Sequence, residues 1–119
     1  MSYVDGFVLP LPKSRLEEYR ELSNKCADIW REYGALEYRE CIADDVQPGK
    51  LTSFPQSVNL EQGETVVFSW IVYASRAQRD EVNANVEKDP RMADMMQPGA
   101  MPFDGKRLIF GGFEMFIDR

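Results

Sequence analysis

Three carboxylates stand in stretches otherwise rich in apolar and aromatic residues. Asp5 shares its strand parity with Tyr3 and Phe7, Glu40 alternates with Arg39 and Cys41, and Glu114 lies between Phe113 and Met115. A carboxyl enclosed in an apolar sheet loses its hydration. Its pKa then rises, which makes it a group able to take and return a proton. Asp5 is the foremost candidate base, and the competing reading is a structural aspartate that accepts backbone amides or sits at a frayed strand edge. Glu40 with Arg39 reads as a solvated strand edge, and Glu114 shares the ambiguity of Asp5. A second kind of chemistry is offered by Asp104-Gly105-Lys106-Arg107, a tight turn followed by two cations. Lys106 and Arg107 suit a carboxylate or phosphate group, or they pair with the many surface acids. The glycine spacing matches neither a phosphate loop nor a dinucleotide fingerprint.

What is missing narrows the chemistry further. The 119 residues include no histidine, so histidine bases, Ser-His-Asp and Cys-His pairs, histidine-ligated haem and histidine-rich metal sites are excluded. The two cysteines, Cys26 and Cys41, form no CxxC motif; they read as small buried apolar side chains or, if one is exposed and acidic, as a redox pair. No cofactor and no tightly held transition metal is expected. The net charge of −6, with no basic block, leaves no footprint for nucleic acid. The longest strongly apolar stretch, Val66 to Ala74, is interrupted by Ser69 and falls short of the roughly 20 residues of a membrane span. With no export signal at the N-terminus, a cytoplasmic location is expected.

These residues need a scaffold, and the pattern describes one domain over residues 1–119. Tyr3 to Leu9 reads as a strand ended by Pro10 and Pro12. Ser14 and Glu17 fit a capping box that opens a helix. Its stripe is Leu16, Tyr19, Ser23, Cys26, Trp30 and Tyr33, with Gly34 as left-handed cap. Trp30 is read as core, not site. A second strand spans Ala35 to Ala43, followed by a long connection from Asp44 to Glu64. A third, Thr65 to Tyr73, is apolar at nearly every position, as in strands buried on both faces. Ser75 and Gln78 cap a helix toward Lys88, whose Arg76, Arg79, Asp80 and Glu81 read as a solvated charged face. Asp89-Pro90 starts a short turn, Arg91 to Met96. Met92, Met95, Met96 and Met101 suit packing around Pro98-Gly99, or a mobile lid over a pocket. The last strand, Arg107 to Ile117, contains Gly111-Gly112, a bend, bulge or close backbone approach.

The order strand, helix, strand, strand, helix, strand is the split βαβ pattern of a ferredoxin-like α+β fold, a four-stranded antiparallel sheet with two helices on one face. Tyr3, Phe7, Tyr38, Ile42, Phe68, Trp70, Phe110, Phe113 and Phe116 exceed what one two-helix layer buries. A bare apolar sheet face calls for a partner, and a homodimer is the simplest. Two such sheets facing each other make a dimeric α/β barrel.

Four stretches carry a resemblance that spans nearly the whole chain: Tyr3-Val4-Asp5-Gly6-Phe7-Val8, Glu64-Thr65-Val66-Val67-Phe68-Ser69-Trp70-Ile71, Ser75-Arg76-Ala77-Gln78-Arg79-Asp80-Glu81-Val82-Asn83, and Met101-Pro102-Phe103-Asp104-Gly105-Lys106-Arg107. Together they resemble the YbaA-like family of small bacterial proteins, domain of unknown function 1428. The resemblance implies a dimeric α/β barrel of ferredoxin-like protomers and brings no catalytic residue or cofactor.

The expected function is binding of a small, partly apolar molecule in the dimeric barrel. Asp5 would lie deep beside Trp70, and Lys106 and Arg107 would meet an anionic end at the rim. The alternative is a cofactor-independent enzyme, monooxygenase- or isomerase-like, using a buried carboxylate; that idea is an analogy from similar barrels.

Overall fold

The computed structural model describes residues 1–95, 97 and 99–119. Its sheet is built from β1 (Tyr3–Pro12), β2 (Glu37–Ile42), β3 (Glu64–Tyr73) and β4 (Ile109–Glu114). All neighbours are antiparallel, in the order β2-β3-β1-β4. The helices are α1 (Leu16–Glu32), α2 (Phe54–Ser57), α3 (Arg76–Lys88) and α4 (Pro90–Met95). The architecture is α+β. No helix among the described residues is long and apolar enough to cross a membrane.

Register decides what each face carries. Asp5 pairs with Ile71 and Gly112, and Ile71 pairs with Tyr38. Alternation therefore puts Tyr3, Asp5 and Phe7 on one face with Ile71, Tyr73, Tyr38 and Glu40. This face meets α1, α3 and α4, where Tyr3, Ile71 and Tyr73 form a core with Ile29, Val82, Val86 and Met92. Val4, Val8, Val66, Phe68, Trp70, Val72 and Phe113 fall on the opposite face. The connection after β2 covers one end of that face, where Val58 packs on Val8 and Val66. The remainder is open, with Phe68 42% and Phe113 62% exposed. The expectation that β3 is buried on both faces thus holds only in part. Phe68 is exposed and Trp70 half-buried because only the short helix α2 reaches this part of the face, its Phe54 ring meeting Phe68 edge-on at 5.8 Å.

Several expected boundaries moved for identifiable reasons. Pro10 and Pro12 do not end β1, which pairs with β3 through Pro12. Pairing with β4 stops at Val8, so beyond it one side of β1 is an open edge that needs no proline N–H. Because the strand runs on, Lys13–Arg15 form a tight 3-10 turn and α1 begins at Leu16. Ser14 consequently makes no cap, and no side chain caps α1. The second capping motif forms: the Ser75 hydroxyl accepts from the Gln78 amide at 3.1 Å. Gly34, at φ +118°, closes α1 in a conformation that favours glycine. The long connection holds the short helix α2, whose cap Ser53 accepts from the Gln56 amide. β4 is shorter than expected at both ends: Gly105–Arg107 form a 3-10 turn, and Met115 bonds only through its N–H to the Ser2 carbonyl. Met96 and Pro98 lie outside the described residues.

Gly112 marks a close backbone approach. A Cβ placed there would lie 2.7 Å from Cε2 and 2.8 Å from Cζ of Tyr3, a buried ring with nowhere to move. Gly112→Ala is expected to lower the unfolding free energy by about 1–3 kcal/mol, the cost of overpacking. The neighbouring control Gly111→Ala meets only the exposed Phe113 ring, at 3.6 Å. It is expected to change stability by no more than about 0.5 kcal/mol. Urea unfolding of both variants checks this, and equal losses would contradict it.

Candidate functional site

The helix-covered face of the sheet carries an open cleft of about 700 Å³, walled by Phe7, Trp30, Ile71, Met92 and the exposed Phe110, with Asp5, Arg79 and Asn83 among its polar lining groups. Its polar group starts from the register that puts Asp5 in the central strand, under α3. Arg79, one turn into α3, reaches down and donates from Nη1 to Asp5 Oδ1 at 2.7 Å. Its Nε donates to Asp80 at 2.7 Å, and its guanidinium lies 4.8 Å over the Tyr3 ring. One turn further along α3, the Asn83 carbonyl accepts from Trp30 Nε1 at 3.3 Å and from the Tyr73 hydroxyl at 3.4 Å. Loss of hydration pushes the Asp5 pKa above its usual value; the charge and hydrogen bond of Arg79, with Tyr73 and Asn83, pull the other way and only partly offset it. With a partner at 2.7 Å, Asp5 holds the guanidinium in place over Tyr3 and beside the cleft.

A second lobe of about 210 Å³ continues beneath α1, sharing Phe7, Trp30, Ile71 and Met92 with the first. Its polar lining includes Ser23, Arg39, Ser69 and the carboxylate of Glu40. Glu40 is exposed along the edge strand β2, yet its carboxyl accepts from the Tyr19 hydroxyl at 2.8 Å. Lost hydration raises the Glu40 pKa, against the hydroxyls of Tyr19, Tyr38 and Ser69, which lower it. Strand spacing and rise put Glu40 two strands and one row from Asp5, roughly 12 Å away. Glu40 is therefore more than a solvated edge residue.

The residues expected to form one site are not brought together. Asp5 and Trp70 lie on opposite faces, since Trp70 pairs with Gly6 and Asp5 with Ile71. Asp5 faces the helices and not the open face through which two sheets would meet. Arg107 is already occupied: it makes two 2.7 Å bonds to Glu64 and one of 3.0 Å to Asp104, and it donates to the Asn59 carbonyl. That clamp ties the start of β4 to the start of β3. Lys106 is exposed, with its backbone N–H on Asp104, and it lines neither lobe. Trp30, expected as core, packs against the core but is half-buried and walls both lobes. Glu114 is exposed at the end of β4.

The cation that meets Asp5 belongs to a mixed-charge run whose composition suggests a solvated face. A signal was present: Arg79, Val82 and Val86 recur at three- and four-residue spacing, so Arg79 lies on the stripe that α3 buries. Met92 joins the core, while Met95 and Met101 line the second lobe. Among the described residues, no three His, Cys, Asp or Glu side chains gather as metal ligands.

The cysteines differ sharply. Cys26 is half-buried, its Sγ 3.5 Å from Met95 Sδ, and burial with the nearby Glu40 charge pushes its thiol up to about 11. Cys41 is exposed. At pH 8, iodoacetamide is expected to modify one thiol per chain quickly and Cys26 far more slowly. Cys41→Ser is expected to remove the fast phase, and two fast equivalents would contradict the assignment.

Comparison with known proteins adds relatives to this geometry. Residues 2–105 match the family model described as "Protein of unknown function (DUF1428)". The protein "Uncharacterized protein YbaA" of Escherichia coli strain K12 is 49% identical over 118 residues, covering 99% of each chain. YbaA of Shigella flexneri matches to the same extent. Among solved structures, the de novo designed protein Foldit4 aligns with a TM-score of 0.47 at 9% identity, over 97% of this chain and 99% of that one.

Proposed function

We propose, starting from the fact that the chain belongs to the DUF1428 family, that it binds a small, partly apolar molecule in the cleft between its helices and its sheet. The observation that carries this reading is the cleft itself. Its walls are mainly aromatic and aliphatic, with Glu87, Lys88 and Asp89 also among the lining residues, and the fixed polar groups of Asp5, Arg79 and Asn83 converge on it, the usual make-up of a small-molecule site. Arg79 and Asn83 are held in place by Asp5, Trp30 and Tyr73, so a ligand would meet donors and acceptors that are already ordered.

A thermal-shift screen of small organic compounds tests the proposal. Hits are expected to raise the melting temperature of the native chain. They are expected to lose most of that effect against Asn83→Leu, judged from each variant's own ligand-free baseline. No hit across a diverse library, or hits indifferent to the cleft variant, would overturn it.

The second reading, a cofactor-independent enzyme with Asp5 as base, draws on the raised pKa of that carboxyl. The 2.7 Å bond to Arg79 weighs against it, because a base must offer its oxygen to substrate.

The quaternary part of the proposal is a homodimer of ferredoxin-like protomers forming an α/β barrel. The antiparallel order β2-β3-β1-β4 with α1 and α3 on one face supports the protomer. The open face, with Phe68, Ile109 and Phe113 exposed around Val4 and Trp70, supports a second copy seated there. Light scattering at micromolar concentration is expected to give twice the 13.7 kDa of one chain, and Phe113→Asp is expected to give the monomer. A native monomer would contradict the dimer while leaving the cleft reading intact.

A further inference from the structure

We infer that the lobe at Glu40 selects an organic cation: a primary or methylated ammonium carried on an apolar body, its head against the Glu40 carboxylate and its body running toward Trp30. The inference rests on the cleft being a binding site and says which chemistry that site prefers.

Among the described residues, no lysine or arginine lies within ion-pair distance of Glu40. Two arginines line the cavities that Glu40 lines, but both are paired elsewhere, Arg20 with Glu17 at 3.4 Å and Arg39 with Glu37 at 3.2 Å. The carboxyl is held by a hydroxyl instead, with Tyr19 donating at 2.8 Å. Hydroxyls orient a carboxylate without neutralising it, so a place for one positive charge is left open. The situation at Asp5 is the reverse, because Arg79 already supplies that charge.

Tyr19 and Phe103 meet edge to face at 5.9 Å between centroids, and Trp30 and Tyr38 lie tilted at 6.2 Å. All four line the lobe with Glu40. Aromatic faces carry negative potential and attract desolvated ammonium groups, and a carboxylate beside them adds the full countercharge. An anion would face both the carboxylate and the ring faces, so the lobe rejects it. The apolar remainder of the lobe, supplied by Leu22, Met95 and Met101, fits an aliphatic body.

The test uses three probes of the same length: hexylammonium, hexanol and hexanoate. Each is titrated into the full chain at pH 7 and followed by amide chemical shifts. Hexylammonium is expected to bind at least tenfold more tightly than hexanol, to move the amides of Tyr38 and Glu40, and hexanoate is expected not to bind. Glu40→Gln is expected to abolish the preference, so that hexylammonium and hexanol bind alike. A native-like dispersion of amide shifts shows that this variant is folded. Equal affinity for hexylammonium and hexanol in the native chain, or preference for hexanoate, would overturn the cation selectivity and leave the cleft reading standing. Absence of binding by all three probes would overturn both.

Discussion

Replacing Arg79 with leucine is expected to lower the unfolding free energy by about 2–3 kcal/mol at pH 7. The variant keeps the aliphatic bulk on the buried stripe of α3 but leaves Asp5, whose side chain is 9% exposed, without its countercharge. Removing one partner of an enclosed ion pair costs about 3–5 kcal/mol. The lower figure is taken because the Arg79 side chain keeps 18% of its surface in water. Its second partner, Asp80, is 60% exposed and adds little. Urea unfolding at constant m-value measures the loss. In a double-mutant cycle, Asp5→Asn in the Arg79→Leu background is expected to recover part of it, since the orphaned charge is then gone. A loss under about 0.5 kcal/mol would mean that the carboxyl finds water when the arginine leaves.

The pH dependence of the same pair follows from the sign of its shift. The folded pKa of Asp5 lies above the unfolded value of 3.8, so the native state holds the proton more tightly than the unfolded chain. Its contribution is complete below the unfolded pKa and is lost as pH rises through the folded one. Relative to Asp5→Asn, the native chain is therefore expected to lose stability as pH rises from about 4 toward neutrality. Glu40 shifts in the same direction. Asp89 acts oppositely: Arg91 and Tyr33 hold its carboxyl well below the usual carboxylate range, so its contribution is present at neutral pH and lost on acidification. Comparing each carboxylate with its amide variant separates the opposing trends.

How much of this was legible beforehand depended on whether the signal was periodic or relational. The α1 stripe, the glycine cap at Gly34 and the Ser75 cap are local patterns, and they appear in the structure. The parity of Asp5 with Tyr3 and Phe7 was legible too, and it correctly set Asp5 in a buried row. Which layer that row faces was not legible, because parity says that residues share a side without saying what covers it. Pairing Asp5 with Trp70 failed on the same point: a register offset of one residue sends a side chain to the other face. Arg107 shows a different limit. Its partners Glu64 and Asn59 are more than 40 positions away, so no local spacing marks it as a structural clamp. Glu40 looked solvated because it alternates with charged neighbours, and only the Tyr19 hydroxyl from α1 shows otherwise.

Trp30 unites the core with the cleft, and its truncation is expected to separate the two roles. Trp30→Ala should cost about 3 kcal/mol, at the low end for a large buried aromatic because the ring is only half-buried. The variant also deprives the Asn83 carbonyl of one of its two donors and merges the lobes at Asp5 and Glu40, both of which the indole walls. A space left by an aromatic ring among apolar neighbours stays dry and accepts a ligand of the same shape. Indole at a few times its dissociation constant is therefore expected to restore about 1 kcal/mol to Trp30→Ala by mass action and nothing comparable to the native chain. A truncation cost below about 1 kcal/mol would mean that the ring packs against nothing that matters. A full cost without rescue would mean that α1 settles onto the sheet and closes the cleft, which makes Trp30 the prop that keeps the two lobes open.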